Sequence, residues 1–138
     1  MRRTFVTWIV LLGIFVSVSS QTVVVGDSAE LSMITCSPGP LSYEKFGHTA
    51  LRYFDPATGV DLVFNYGIFD FDQPNFYTKF IKGETYYMLG VYKTGQFLPQ
   101  YAERNSQVTE QVLNLTKAEK QQLLDALFVN YLPQNRNY

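Results

Sequence analysis

Thiol and imidazole are almost missing from this chain: its 138 residues hold one cysteine, Cys36, and one histidine, His48. A single thiol excludes an internal disulfide as a staple. One histidine and one cysteine, with no further soft ligands, do not make a zinc site. The carboxylates also lack the spacing of a calcium loop. Neither a metal nor a cofactor is therefore expected. An excess of basic residues is lacking too, with 11 Lys and Arg against 12 Asp and Glu, so nucleic acid is not an expected partner. There are no internal repeats, no low-complexity tracts and no convincing interdomain linker. No serine has the Gly-x-Ser-x-Gly context of a hydrolase elbow, and Ser37 before Pro38 reads as turn chemistry.

The one long apolar run, Phe5 to Val16, falls short of the ~20 residues that span a bilayer. Met1-Arg2-Arg3 precedes it, and the small side chains of Val18-Ser19-Ser20 follow. Residues 1–20 therefore read as an export signal cleaved before Gln21, with a retained anchor as the competing reading. No cysteine sits at the junction, so the chain is not itself a lipoprotein. Residues 21–28 are expected as a tether, and residues 29–138 as one modest domain.

Aromatic residues are plentiful, and all ten tyrosines follow residue 20. Tyrosine suits surfaces that are half apolar and half wet, as in ligand grooves and against membranes, and serves equally in a core and its rim. Ala29–Cys36 reads as a strand broken by Ser37-Pro38-Gly39-Pro40. Phe46–Phe54 and Val60–Tyr66 read as a hairpin around the Asp55–Gly59 turn. A short helix is expected from Pro74 to Gly83, a strand over 85–92, a helix over 95–104 and a strand over 107–115. Thr116 with Glu119 forms a capping box ahead of Leu123, Leu124, Leu127 and Phe128 at helical spacing. Asn114-Leu115-Thr116 fits the glycosylation pattern but reads as that cap. The polar end, Leu132–Tyr138, is expected to carry no closing strand. The fold class is α+β, an antiparallel sheet with flanking helices.

His48 is the first candidate for chemistry, against the bland alternative of a hydrogen-bonded core histidine. Gly47 beside it permits close backbone approach. Phe46, His48, Ala50 and Arg52 share one strand face by the two-residue period. If Asp55 pairs with Val60, Ala50 lies opposite Asn65 and His48 opposite Gly67. Asn65 then falls diagonally beside the imidazole, whereas a one-residue slip would bring Tyr66 there instead. A histidine oriented by a polar neighbour is the base half of a thiol–imidazole site. Cys36 is the only thiol available, at the end of a strand where it is expected to behave as a small hydrophobe. Asp70 and Asp72 form either a carboxylate pair or a solvated turn. Tyr66, Asp70 and Asn75, along the aromatic loop, are candidates for substrate contact.

Thr35-Cys36-Ser37-Pro38-Gly39, Phe46–Arg52, Val63–Phe71, Pro74-Asn75-Phe76-Tyr77 and Tyr131–Arg136 together resemble the Lnb N-terminal periplasmic domain family. The resemblance implies a circularly permuted papain-like domain, exported to the periplasm or cell envelope of a bacterium. It implies N-acylation of the amino-terminal cysteine of lipoproteins, with a phospholipid as acyl donor and His48 as general base. Members of that family continue into an Asp-Asn-Cys motif bearing the nucleophile, often followed by membrane helices. The sequence stops at Tyr138 ahead of such a motif, so it is expected to be the N-terminal part of the domain. The sheet's inner face would then be uncovered and the isolated chain poorly stable. Two other functions fit the same residues: a cysteine peptidase or amidase acting on cell-wall peptides, and a non-catalytic envelope module binding through Tyr66–Tyr77.

Overall fold

The computed structural model describes residues 23–69 and 74–138. The export signal, Asp70 and Asp72 lie outside the described residues. Five strands form one antiparallel sheet: β1 (Glu30–Cys36), β2 (His48–Asp55), β3 (Val60–Ile68), β4 (Met88–Lys93) and β5 (Val108–Val112), in the order β4-β3-β2-β1-β5. Around it are α1 (Phe76–Lys82), α2 (Thr94–Phe97), α3 (Pro99–Glu103) and α4 (Lys117–Tyr131). The α+β class follows directly.

The β2–β3 hairpin sets the frame. Gly59, at φ +71°, closes the turn by donating its N–H to the Asp55 carbonyl at 2.9 Å, and the Asp55 carboxylate accepts from the Ala57 N–H at 3.0 Å. Asp55 pairs with Val60, and the same register runs on to Leu51 opposite Phe64. Alternation then divides the side chains between two faces. Leu31, Tyr53, Phe64 and Leu89 join Leu124 and Leu127 of α4 in one core cluster. Ile34, Cys36, Ala50 and Val63 join Phe97 of α2 and Tyr101 of α3 in the other. Each such large side chain, fully buried, stabilises the fold by roughly 1.5–3 kcal/mol. Both faces therefore carry helical cover, contrary to the expectation of an uncovered inner face.

Beside the second cluster a polar chain crosses the sheet. Arg52 donates to both oxygens of Asp61, at 2.7 and 2.8 Å, and its remaining terminal nitrogen reaches Glu110 at 3.0 Å. Glu110 accepts from Ser32, and Asp61 from Thr94, so β1, β2, β3, β5 and α2 are tied together.

Three local features depart from the sequence reading. Phe46 and Gly47 stand outside β2, because Gly47 adopts φ +70°, and Phe46 is solvent-exposed rather than sharing the His48 face. The expected tether is docked over its described part: Val25 is buried, and its N–H donates to Gln121 Oε1 of α4 at 2.8 Å. The chain end does pair. Tyr87 and Tyr138 exchange two backbone hydrogen bonds, at 3.1 and 2.9 Å, and the Leu89 N–H donates to the Arg136 carbonyl at 2.8 Å. Residues 136–138 thus extend the β4 edge antiparallel.

α4 begins as expected, with Thr116 and Glu119 capping reciprocally and the Thr116 N–H donating to the Glu119 carboxylate at 2.8 Å. α1 is closed by Gly83, at φ +70°, which donates back into the last turn. The expected helix over 95–104 is two short helices, α2 and α3, with Pro99 at the start of the second.

Candidate functional site

His48 opens β2 and Asn65 lies near the end of β3, so the hairpin register brings them together across the strand pair. Imidazole Nε2 stands 2.5 Å from Asn65 Oδ1. An amide oxygen only accepts, so Nε2 is the donor in this contact, and in a neutral ring the lone pair falls to Nδ1. The pair is partly buried, which holds the ring while leaving one side open.

Two glycines lie beside it. A β-carbon on Gly47 would lie 2.6 Å from the Cys36 carbonyl oxygen, so the close β1–β2 approach at this point requires glycine. Gly67, at φ +112°, occupies the bulge where the β3–β4 register shifts between Tyr66 and Ile68. A β-carbon there would touch His48 Cε1 at 3.5 Å. Phe97 of α2 tilts over the imidazole with ring centroids 6.4 Å apart.

His48 and Asn65 line a cavity of about 390 Å³, whose opposite wall comes from Gln96, Gln100, Tyr101 and Arg104, with Glu44 from the turn before β2. Arg104 is ion-paired with Glu44, donates to Ser106 Oγ at 2.9 Å and lies 4.5 Å over the Tyr101 ring. Sequence reasoning missed this wall. Apart from Glu44, its residues lie in α2, in α3 and directly after α3, more than 25 positions after Asn65, where no motif marks them.

Cys36 is the direct cross-strand partner of His48 in the β1–β2 ladder. The two are not hydrogen-bonded to each other. The thiol is buried and pairs with the Tyr101 hydroxyl. Burial pushes its pKa up, against smaller opposing effects of Tyr101 and Arg104. A buried thiol held protonated is a poor nucleophile.

Of the residues considered for substrate contact, neither Tyr66 nor Asn75 lines this cavity. Tyr66 faces the opposite side of the sheet, where its hydroxyl accepts from Asn130 Nδ2 at 3.0 Å and its ring meets Tyr138 at 5.9 Å. Asn75 is an exposed, left-handed residue at the start of α1, φ 59°. Asp70 lies outside the described residues.

The architecture is therefore that of an α+β domain carrying a histidine–asparagine pair in the wall of a polar cavity. The chain belongs to the Lnb N-terminal periplasmic domain family, whose model matches residues 20–138. The family is a periplasmic domain, so the chain is assigned to the periplasm. No curated protein and no solved structure matches the chain.

Proposed function

We propose that this chain is the N-terminal part of a membrane-associated lipoprotein N-acyltransferase domain of the permuted papain-like kind. His48 is its general base, Asn65 orients that base, and the nucleophile is a cysteine expected beyond residue 138. The observation that carries this reading is the Nε2 to Asn65 Oδ1 contact in the wall of the cavity. It leaves Nδ1 free to take a proton.

In the proposed reaction Nδ1 removes the thiol proton, and the thiolate attacks the ester carbonyl of a phospholipid donor. The tetrahedral intermediate collapses by expelling the lysophospholipid alcohol, which takes the proton back from the imidazolium, and a thioester remains. The amino group of the lipoprotein's N-terminal cysteine then attacks the thioester. His48 receives the amine proton, the amide forms and the thiolate leaves.

The direction of the chain end supports a partner of this kind. Residues 136–138 run antiparallel to β4, towards the end of the sheet where β2 begins with His48. Whatever follows Tyr138 starts from that end. Cys36 suits the role poorly, being buried and engaged by Tyr101.

The test starts from the source DNA, read past the codon for Tyr138. The complete product is then assayed by mass spectrometry for acyl transfer from phospholipid to a diacylated lipopeptide. Replacing His48 by alanine should lower turnover by roughly 10²–10⁴-fold. A frame with no downstream cysteine, or full activity in His48→Ala, sinks the proposal. Release of free fatty acid or of cell-wall peptide fragments, without transfer, would favour the hydrolase on the same scaffold.

A further inference from the structure

α1 is apolar on two stripes, and only one of them is buried. Phe76 and Phe80 pack with Phe69, at centroid distances of 5.2 and 5.9 Å, and Phe69 meets Tyr87 edge-on at 5.7 Å. One position along, Tyr77 and Ile81 stand a single turn apart on the same face. They are 62% and 83% exposed. Two further large side chains are open at the same end of the sheet: Phe46, just before β2, at 91% and Tyr86, just before β4, at 79%. Scattered exposed hydrophobes are ordinary, but four from three segments at one end, beside one cavity, are not.

Charge selects the occupant. Lys79 and Lys82 lie on α1 among these side chains, and Lys45 precedes Phe46; of the acidic residues beside them, Glu84 lies between α1 and β4, and Glu44 is ion-paired with Arg104. Tyrosine and isoleucine flanked by lysine is the composition of a surface that enters the headgroup region of a bilayer, lysine to phosphate and apolar tips below. Among the described residues no helix is long and apolar enough to cross a membrane.

We infer that the tip formed by Phe46, Tyr77, Ile81 and Tyr86, with Lys79 and Lys82, docks the domain on an anionic phospholipid surface. His48, Gly67 and Ile68 of the cavity lining lie at that same end of the sheet, so docking sets that part of the cavity close to the headgroups. This deepens the proposed acyl transfer by placing the donor's source, yet the docking itself does not depend on a nucleophile.

The test is flotation of the chain from Gln21 to Tyr138, which retains every contact of the sheet and helices, with vesicles of phosphatidylethanolamine and phosphatidylglycerol. Vesicles of phosphatidylcholine alone serve as the comparison. The chain should float with the anionic vesicles, and Ile81→Asp or Tyr77→Asp should cut the bound fraction by about tenfold. Lys79→Glu with Lys82→Glu should do the same at low salt, and the difference from the parent should vanish at ~1 M salt. Val24→Asp, at an exposed position near the far end of the sheet, should leave binding unchanged. Thermal unfolding of each variant verifies that it is folded. His48→Ala should bind as the parent does, which separates failure of docking from failure of the acyl-transfer reading. Equal flotation of Ile81→Asp and parent, or no flotation of the parent, overturns the inference. So does a dimer that Ile81→Asp dissociates without any change in vesicle binding, which would assign the tip to a second copy.

Discussion

His48 and Cys36 face each other across the β1–β2 ladder, yet each is hydrogen-bonded to something else. The imidazole turns to Asn65 on β3, and the thiol to Tyr101 on α3. The only thiol and the only imidazole of the chain are neighbours by register and strangers by chemistry. This arrangement engages the thiol with Tyr101 and the imidazole with Asn65 on different elements.

Cys36 should therefore resist alkylation. Iodoacetamide acts on the thiolate, and burial both raises the thiol's pKa and blocks access. In the folded chain modification at neutral pH should be slower than in urea by at least about 10²-fold, followed by intact mass. Native-state labelling as fast as that of a free thiol would return Cys36 to the list of nucleophiles.

Asn65→Ala should free the imidazole without unfolding the domain. The lost hydrogen bond is partly buried, so the expected cost is about 1 kcal/mol. The sharper readout is the ring itself. Nitrogen NMR of the neutral side chain should show the Nε2–H form in the parent and a mixture of both tautomers in the variant. An unchanged tautomer would mean that Asn65 does not orient His48.

Two glycines allow backbone strain to be separated from collision. Gly47 and Gly59 have nearly the same φ, +70° and +71°. A β-carbon at Gly59 meets nothing within 4 Å, whereas at Gly47 it lies 2.6 Å from the Cys36 carbonyl oxygen. Gly59→Ala should cost roughly 1 kcal/mol, the strain of a left-handed residue. Gly47→Ala should cost roughly 2–4 kcal/mol, because β1 and β2 must also move apart beside His48. Equal losses in urea unfolding would show that the strands yield freely there.

Opposite pH limbs follow from two sets of groups. Burial raises the pKa of Cys36 above its ordinary 9.0, and of Tyr53 and Tyr101 above 10.0. Their neutral forms belong to the folded state, so this stability is complete below the ordinary values. It is lost as pH climbs from them through the folded ones. Asp61 behaves inversely. Hydrogen bonds from Arg52 hold it below 3.8, so its contribution is present above that value and lost as pH falls through the folded one. Urea midpoints measured from about pH 3 to 11 should fall at both ends, and Arg52→Ala should flatten the acid limb alone.

The hairpin was legible because the Asp55–Gly59 turn and two-residue alternation specify a register, and that register alone puts Asn65 beside His48. α4 was legible from its capping box for a similarly local reason. The Cys36–His48 pairing was not, since 11 residues separate β1 from β2 and no tight turn sets their alignment. Strand parity already placed Tyr66 on the face away from His48, and its aromatic context obscured that. The α2–α3 wall and the paired end at Tyr138 depend on contacts distant in sequence, made by polar segments without periodicity.

Removing residues 133–138 should unpair the β4 edge. Three backbone hydrogen bonds join that segment to Tyr87 and Leu89, and the Tyr138 ring stacks on Tyr87 at 6.1 Å. At roughly 0.5–1.5 kcal/mol each, the three hydrogen bonds predict a loss of about 1.5–4.5 kcal/mol. Tyr138→Ala keeps the backbone pairing and removes only the ring, so it should cost about 1 kcal/mol. Hydrogen exchange distinguishes the two. The Leu89 amide should lose protection in the truncated chain and keep it in Tyr138→Ala, while amides within the β1–β2 ladder stay protected in both. If Leu89 exchanges equally slowly in all three, residues 136–138 do not pair with β4. The direction argued for the chain beyond Tyr138, towards His48, would then lose its basis.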